Sequence, residues 1–222
     1  MKKFLLLLII CLTATLVSCN KESTFVVNNY RDFVTSYQGS LLSDSGGSFR
    51  VVENKTDSEA WKQEGGRFYI LCDILNRELD IVLKDILNVR MLNPKPLEQM
   101  VTEFKDPIIV EDSSVSGGCF NLFYTYYYNP ASNYAHNVQA WWELKGIELN
   151  ICLFHDGNGE NPSLMNADLL KEKTDVFSVP LADILKDENY DTHNSLHLSI
   201  TLYELASDKK SVEKKTYHLN GN

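Results

Sequence analysis

Cys19 is the residue of this chain whose neighbours assign it a chemistry. It ends the run Leu16-Val17-Ser18-Cys19, and polar Asn20, Lys21 and Glu22 follow it directly. Ahead of it lie Lys2 and Lys3, then an apolar stretch of roughly 14 residues. That is short of the ~20 a membrane-spanning helix needs and suits the core of a secretory signal. A basic start, an apolar core and a cysteine at the boundary form the pattern of a bacterial lipoprotein leader. On this reading residues 1–18 are removed, the Cys19 sulfur carries a diacylglyceryl group, and the freed amino group takes a further acyl chain. One chain anchors weakly and two anchor stably, at ~0.8 kcal/mol per buried CH₂. The covalent lipid is the only cofactor expected. The place implied is the cell envelope, on the outer membrane, with either the periplasmic or the surface face open.

The remaining polar residues make weaker patterns. Asp156, Asn158 and Glu160 alternate along Asp156-Gly157-Asn158-Gly159-Glu160-Asn161, as oxygen ligands for calcium would. Asn161 stands where such a loop needs Gly, however, and Ala167 where it needs Glu. The same residues are strong turn formers, so a hairpin loop is the preferred reading. His193 and His197 are spaced for zinc only on a helix, and their segment reads as loop and strand. His136, His155 and His218 form no spaced set. The serine-rich segment 113–118 reads as a turn ahead of a strand, whereas a nucleophile elbow needs a helix next. No carboxylate pair is singled out as a glycosidase pair. No catalytic residue is assigned, and the chain reads as a non-enzyme. The alternatives are an envelope or glycan hydrolase with an unrecognised carboxylate-based site, and a structural spacer.

Cys72, Cys119 and Cys152 each sit in an apolar, strand-like stretch and read as small buried hydrophobes. A Cys119–Cys152 disulfide is the alternative that an envelope compartment allows. Tyr124, Tyr126, Tyr127, Tyr128, Trp141 and Trp142 lie in two strand-like runs. Alternation turns some of them outward unless both faces are covered. Outward aromatics could stack on a sugar or anchor a protein, which makes them the candidate binding face. The competing reading places them in the core.

The elements that must position these residues are strands. The chain has 222 residues and a net charge of −9, and the leader carries two lysines and no acid, so the mature chain is more acidic still. That charge disfavours nucleic acid and anionic lipid as partners. The partners expected are the membrane, through the lipid, and a protein or glycan. Residues 19–29 read as a lipidated tether. Over 30–93, period-two patterning at 33–38, 49–53, 67–75 and 79–91 suggests a small five-stranded barrel, with a change of pattern within 79–91 as at a bulge. Asn93-Pro94-Lys95-Pro96 breaks the run. Residues 94–107 read as a linker in which Leu97, Met100, Val101 and Phe104 recur at helical spacing. Residues 108–222 suggest an antiparallel β-sandwich. The fold class is all-β.

Several segments carry a family resemblance. They are Trp61 with Glu64-Gly65-Gly66-Arg67-Phe68-Tyr69-Ile70, then Asp73-Ile74-Leu75 with Val82-Leu83-Lys84-Asp85-Ile86, then Asp106-Pro107-Ile108, and last Phe177-Ser178-Val179-Pro180-Leu181. In this order, behind a lipoprotein leader, the chain resembles the NigD-like lipoproteins of Bacteroidota. The resemblance implies an OB-fold domain followed by a β-sandwich domain, an envelope location and an association with bacteriocin biology or envelope defence. It implies no catalytic residues.

Overall fold

The computed structural model describes residues 25–187, 197–207 and 211–219. The leader 1–18, Cys19, the tether up to residue 24 and His193 lie outside the described residues.

Alternating apolar side chains build the first module. β1 (Val27–Tyr37), β2 (Ser40–Ser43), β3 (Ser48–Asn54), β4 (Arg67–Ile74) and β5 (Asp80–Asn88) close into a barrel in the order β1-β2-β3-β5-β4, with β4 returning antiparallel onto β1. Only β3 and β5 run parallel. This is the five-stranded arrangement of an OB fold. Phe68, Ile70, Cys72 and Ile74 point inward from β4, at most 5% exposed. Leu71 faces Asp85 while Cys72 faces Leu83, so Lys84 is the extra residue of a bulge, which explains the changed pattern there. The polar stretch after β3 is not a strand. It carries the 3-10 turn Ala60–Lys62, which brings Trp61 into the barrel core.

The second module is a two-layer sandwich. One sheet runs β6 (Arg90–Met91), β12 (Lys171–Pro180), β9 (Cys119–Tyr128), β8 (Ile109–Ser116). The other runs β14 (Val212–Leu219), β13 (His197–Leu205), β11 (Glu148–Asp156), β10 (Asn137–Lys145), β7 (Lys95–Pro96). A short helix, α1 (Leu181–Asp187), follows β12. Phe120, Leu122 and Tyr124 of β9 meet Leu149, Ile151 and Leu153 of β11 in the core between the sheets. The long hairpins are antiparallel, while β13 joins β11 in parallel, as do the two-residue strands β6 and β7 with their neighbours.

Two local expectations change. β8 continues through the serine-rich segment to Ser116, and the turn shrinks to Gly117-Gly118, both at positive φ. The linker forms no α-helix over 97–104, only the 3-10 turn Leu97–Gln99. A helix that short cannot repay its nucleation cost, and β7 draws Lys95–Pro96 onto a sheet edge. Leu97, Met100 and Phe104 still pack on Trp141, Cys152 and Phe154, while Val101 is 96% exposed. The linker therefore straps the outer face of one sheet and gives that sheet its edge strand β7.

Barrel and sandwich meet across a continuous interface. Phe33 and Tyr69 of the barrel stack with Phe123 of β9, with ring centroids 4.8–5.7 Å apart. Beside them Arg67 is buried at 7% exposure. Its guanidinium grips Asp44 with both Nη atoms, at 3.0 and 2.6 Å. It also donates from Nε to Ser178 Oγ at 2.9 Å and from Nη2 to Asn121 Oδ1 at 3.0 Å. Ser116 Oγ donates to Asp44 Oδ2 at 2.7 Å. A Cβ on Gly117 would collide with that carboxylate, so the turn must be glycine there. Every member of this polar joint is satisfied, which is the condition for burying an ion pair without severe cost.

Candidate functional site

Titratable side chains gather most closely at one end of the sandwich, where the 129–136 connection, the 157–170 connection and the end of the linker meet. β11 delivers His155 as its penultimate residue, 3% exposed. His155 Nδ1 lies 3.3 Å from the Pro107 carbonyl, and its Nε2 lies 3.0 Å from His136 Nδ1. His136 Nε2 in turn lies 3.0 Å from Glu160 Oε2. A carbonyl only accepts, so His155 carries its hydrogen on Nδ1 and its neutral ring accepts through Nε2. His136 then donates from Nδ1 to His155 Nε2, and its own Nε2 lies against Glu160 Oε2. Tyr126 lies against both imidazoles, with ring centroids 4.9 and 5.3 Å away.

The electrostatics follow from enclosure. Burial, with the neighbouring His136 charge adding to it, pushes the His155 imidazole down to about 4. For Glu160, burial works against ionisation. The Asn129 backbone N–H, the Ser132 side chain and His136 outweigh it and hold the carboxyl below its ordinary range. Asp106 closes the neighbouring loop, accepting from the backbone N–H groups of Gly157 and Gly159 at 2.9 and 3.0 Å and from Asn161 Nδ2 at 3.1 Å.

This geometry corrects the calcium reading. Glu160 turns toward His136, Asp156 is bonded by Tyr134, and Asn158 is an exposed turn residue at φ 55°. Asp156, Asn158 and Glu160 do not converge, and the described residues contain no metal-holding group of three His, Cys, Asp or Glu side chains. Asp106 holds the loop through these three hydrogen bonds.

The proposed aromatic face is corrected as well. Tyr124, Tyr126, Tyr127, Trp141 and Trp142 are 2–8% exposed, and Tyr128 is half-buried. Both faces of these strands are covered. Tyr124, Tyr126 and Trp142 point into the sandwich core, while Trp141 lies under the linker strap. Cys72, Cys119 and Cys152 are free and buried. Cys152 faces the strap on the outside of one sheet, and Cys119 faces Arg67 on the outside of the other, so the sandwich thickness separates them and no disulfide can form. Desolvation raises all three thiols, Cys72 and Cys152 to about 11.

Sequence spacing did not reveal the His136–His155–Glu160 chain or the Arg67–Asp44 pair. The bonded pairs are 19 to 24 residues apart and join strands to connections or one connection to another. The one local signal was Arg67 at the head of a strand with two apolar faces, a charge with nowhere to go but a partner.

No family model matches the chain, and no curated protein matches its sequence. Solved structures do match. A NigD-like immunity protein from Bacteroides caccae ATCC 43185 superposes with a TM-score of 0.64 at 18% identity, covering 87% of this chain and 99% of its own. A protein of unknown function from Bacteroides vulgatus ATCC 8482 gives 0.63 at 16% identity, over 89% of this chain and 92% of that one. A candidate lipoprotein from Bacteroides fragilis NCTC 9343 gives 0.59 at 12% identity, over 86% and 97%. At these identities the likeness is one of fold, and nearly the whole length of each neighbour is matched. The chain shares its overall β fold with these Bacteroides structures, one of which is a NigD-like immunity protein.

Proposed function

We propose that this chain is a non-catalytic lipoprotein of the bacterial envelope, held by lipid on Cys19, that binds a protein or glycan in bacteriocin immunity or a related defence. One observation carries the non-catalytic part: among the described residues, the buried clusters of groups that could do chemistry close on themselves. His136 and Glu160 side chains are 7% and 5% exposed and spend their bonds on each other, on His155 and on main chain. The Arg67–Asp44 pair is equally enclosed. The thiols are buried and raised. A general acid or base must reach a substrate proton, and these groups are engaged elsewhere. What they do instead is pin connections and join modules, which gives a stiff scaffold for recognition. The fold neighbours described as an immunity protein and a candidate lipoprotein support the same reading.

The test is a bacteriocin challenge of a sensitive Bacteroides strain expressing the full chain, with alkyne-fatty-acid labelling of the same cells. Wild type takes the label and protects. Cys19→Ala loses the label, leaves the membrane fraction and ceases to protect. Glu160→Gln protects as wild type does wherever it remains folded. An unlabelled wild type, or an envelope-glycan hydrolysis that E160Q abolishes, would falsify the reading.

A further inference from the structure

We propose that the sandwich takes an extended, carboxylate-bearing segment of a partner protein along the open edge of β10, in the groove beside Arg90 and Lys95. This rests on the binding reading above and specifies the chemistry of the partner.

The open edge follows from how short β7 is. β7 pairs with β10 only at Trp141 and Trp142. Residues 137–140 pair with β11 on one side and, among the described residues, have no strand on the other. Backbone groups of a strand alternate between its two sides, so this stretch offers N–H and C=O groups to an added strand. Opposite it runs β6, the edge of the other sheet. Between the two edges lies a groove of about 430 Å³ lined by Arg90, Asn93, Lys95, Asn137, Gln139 and Trp141 among others.

The chemistry of the groove is one of unmatched donors. Arg90 Nη2 donates to the Tyr124 hydroxyl at 3.2 Å, but its Nε–H is buried without an acceptor among the described residues. The indole N–H of Trp141, a residue 8% exposed, has no acceptor among them either. Neither Arg90 nor Lys95 forms an ion pair among the described residues. Among the described residues no aspartate or glutamate lines this groove, although the chain carries a net charge of −9. The neighbouring groove beyond β7 includes Glu98 and Glu143 and lacks this unopposed positive charge. Buried donors without acceptors are costly, and a ligand that brings acceptors relieves them. A carboxylate matches a guanidinium in both charge and geometry. The peptide edge selects a polypeptide over an acidic glycan, because only a chain with amides at strand spacing can satisfy it.

The test titrates the mature, lipidated protein in nanodiscs with a fluorescent short peptide that alternates threonine and valine around one glutamate. Companion probes carry lysine in place of glutamate, or N-methyl groups on alternate amides; oligogalacturonate serves as the acidic glycan. The glutamate peptide is expected to bind and to move the indole N–H resonance of Trp141 but not that of Trp61. The lysine and N-methyl peptides are expected to bind at least tenfold more weakly. Arg90→Gln is expected to weaken the glutamate peptide tenfold, and the exposed substitution Lys95→Glu to reverse the preference between glutamate and lysine. Equal binding of the two peptides, survival of binding after N-methylation, tighter binding of oligogalacturonate, or no peptide binding at all would overturn the proposal. If K95E and R90Q stay fully protective in the bacteriocin challenge while C19A does not, the groove is not the site and the broader reading stands.

Discussion

His155 and Asp44 show what burial does to single residues here. The His155 imidazole ionises at about 4 in the folded chain, against 6.5 ordinarily. His136, Asp106 and Asp156 face it, and the two carboxylates, with the hydrogen bond to the Pro107 carbonyl, favour its charge. The folded pKa is depressed, so the unfolded chain takes up the proton first as pH falls. The stability this protects is complete above 6.5 and is lost between 6.5 and about 4. At 1.36 kcal/mol per unit the loss is about 3 kcal/mol, and Glu160 adds a further loss as its carboxyl protonates. Thermal melts from pH 7 to pH 4 are expected to show a steep fall for wild type and a shallower one for His155→Gln. Asp44 has the opposite vulnerability. Asp44→Ala strands the Arg67 guanidinium without its carboxylate, at a cost of about 3–5 kcal/mol. Urea titration of the variant is expected to show that drop in midpoint with the slope preserved.

Among the elements, the linker strap is the one whose role differs most from its pattern. Leu97, Met100 and Phe104 recur as a helix face would, yet they serve an extended segment lying on a sheet. A spacing of three and four marks one buried side, and a flat sheet can supply that side as well as a helix partner can. Phe104→Ala is expected to uncover Trp141, read as a red shift in tryptophan emission and a gain in acrylamide quenching with little change in β-sheet circular dichroism. If the emission does not move, Trp141 is shielded by something other than the strap.

For the whole molecule, the question is whether barrel and sandwich are independent. Each has its own core, and the chain could have joined them as beads. A third cluster joins them instead: Phe33, Val89 and Val176, with Tyr69 and Phe123 packed against it, lie beside the Arg67 network. The two modules are therefore expected to melt in one transition by calorimetry, with van't Hoff and calorimetric enthalpies in agreement. Combining Asp44→Ala with Phe123→Ala is expected to split that transition in two. Two transitions in wild type would show that the joint transmits no stability.

Much of the architecture was legible in the chain alone, because strands bury side chains at a period of two and turns need glycine. The inward row of β4, the bulge in β5 and the all-β character of both modules follow from such local rules. Their consequences depend little on what lies elsewhere in the chain. The candidate site was not legible for the same reason. Whether Tyr126 or Trp141 faces solvent depends on what covers its side of the strand, and the facing sheet that covers the one and the strap that covers the other come from elsewhere in the sequence. The meeting of His136 with His155 and Glu160, and of Arg67 with Asp44, is likewise decided by connections brought together only when the sheets pack. Period and turn chemistry act over a few residues; burial, pairing and hydrogen bonding are set by the sum of distant contacts, and only the tertiary structure contains that sum.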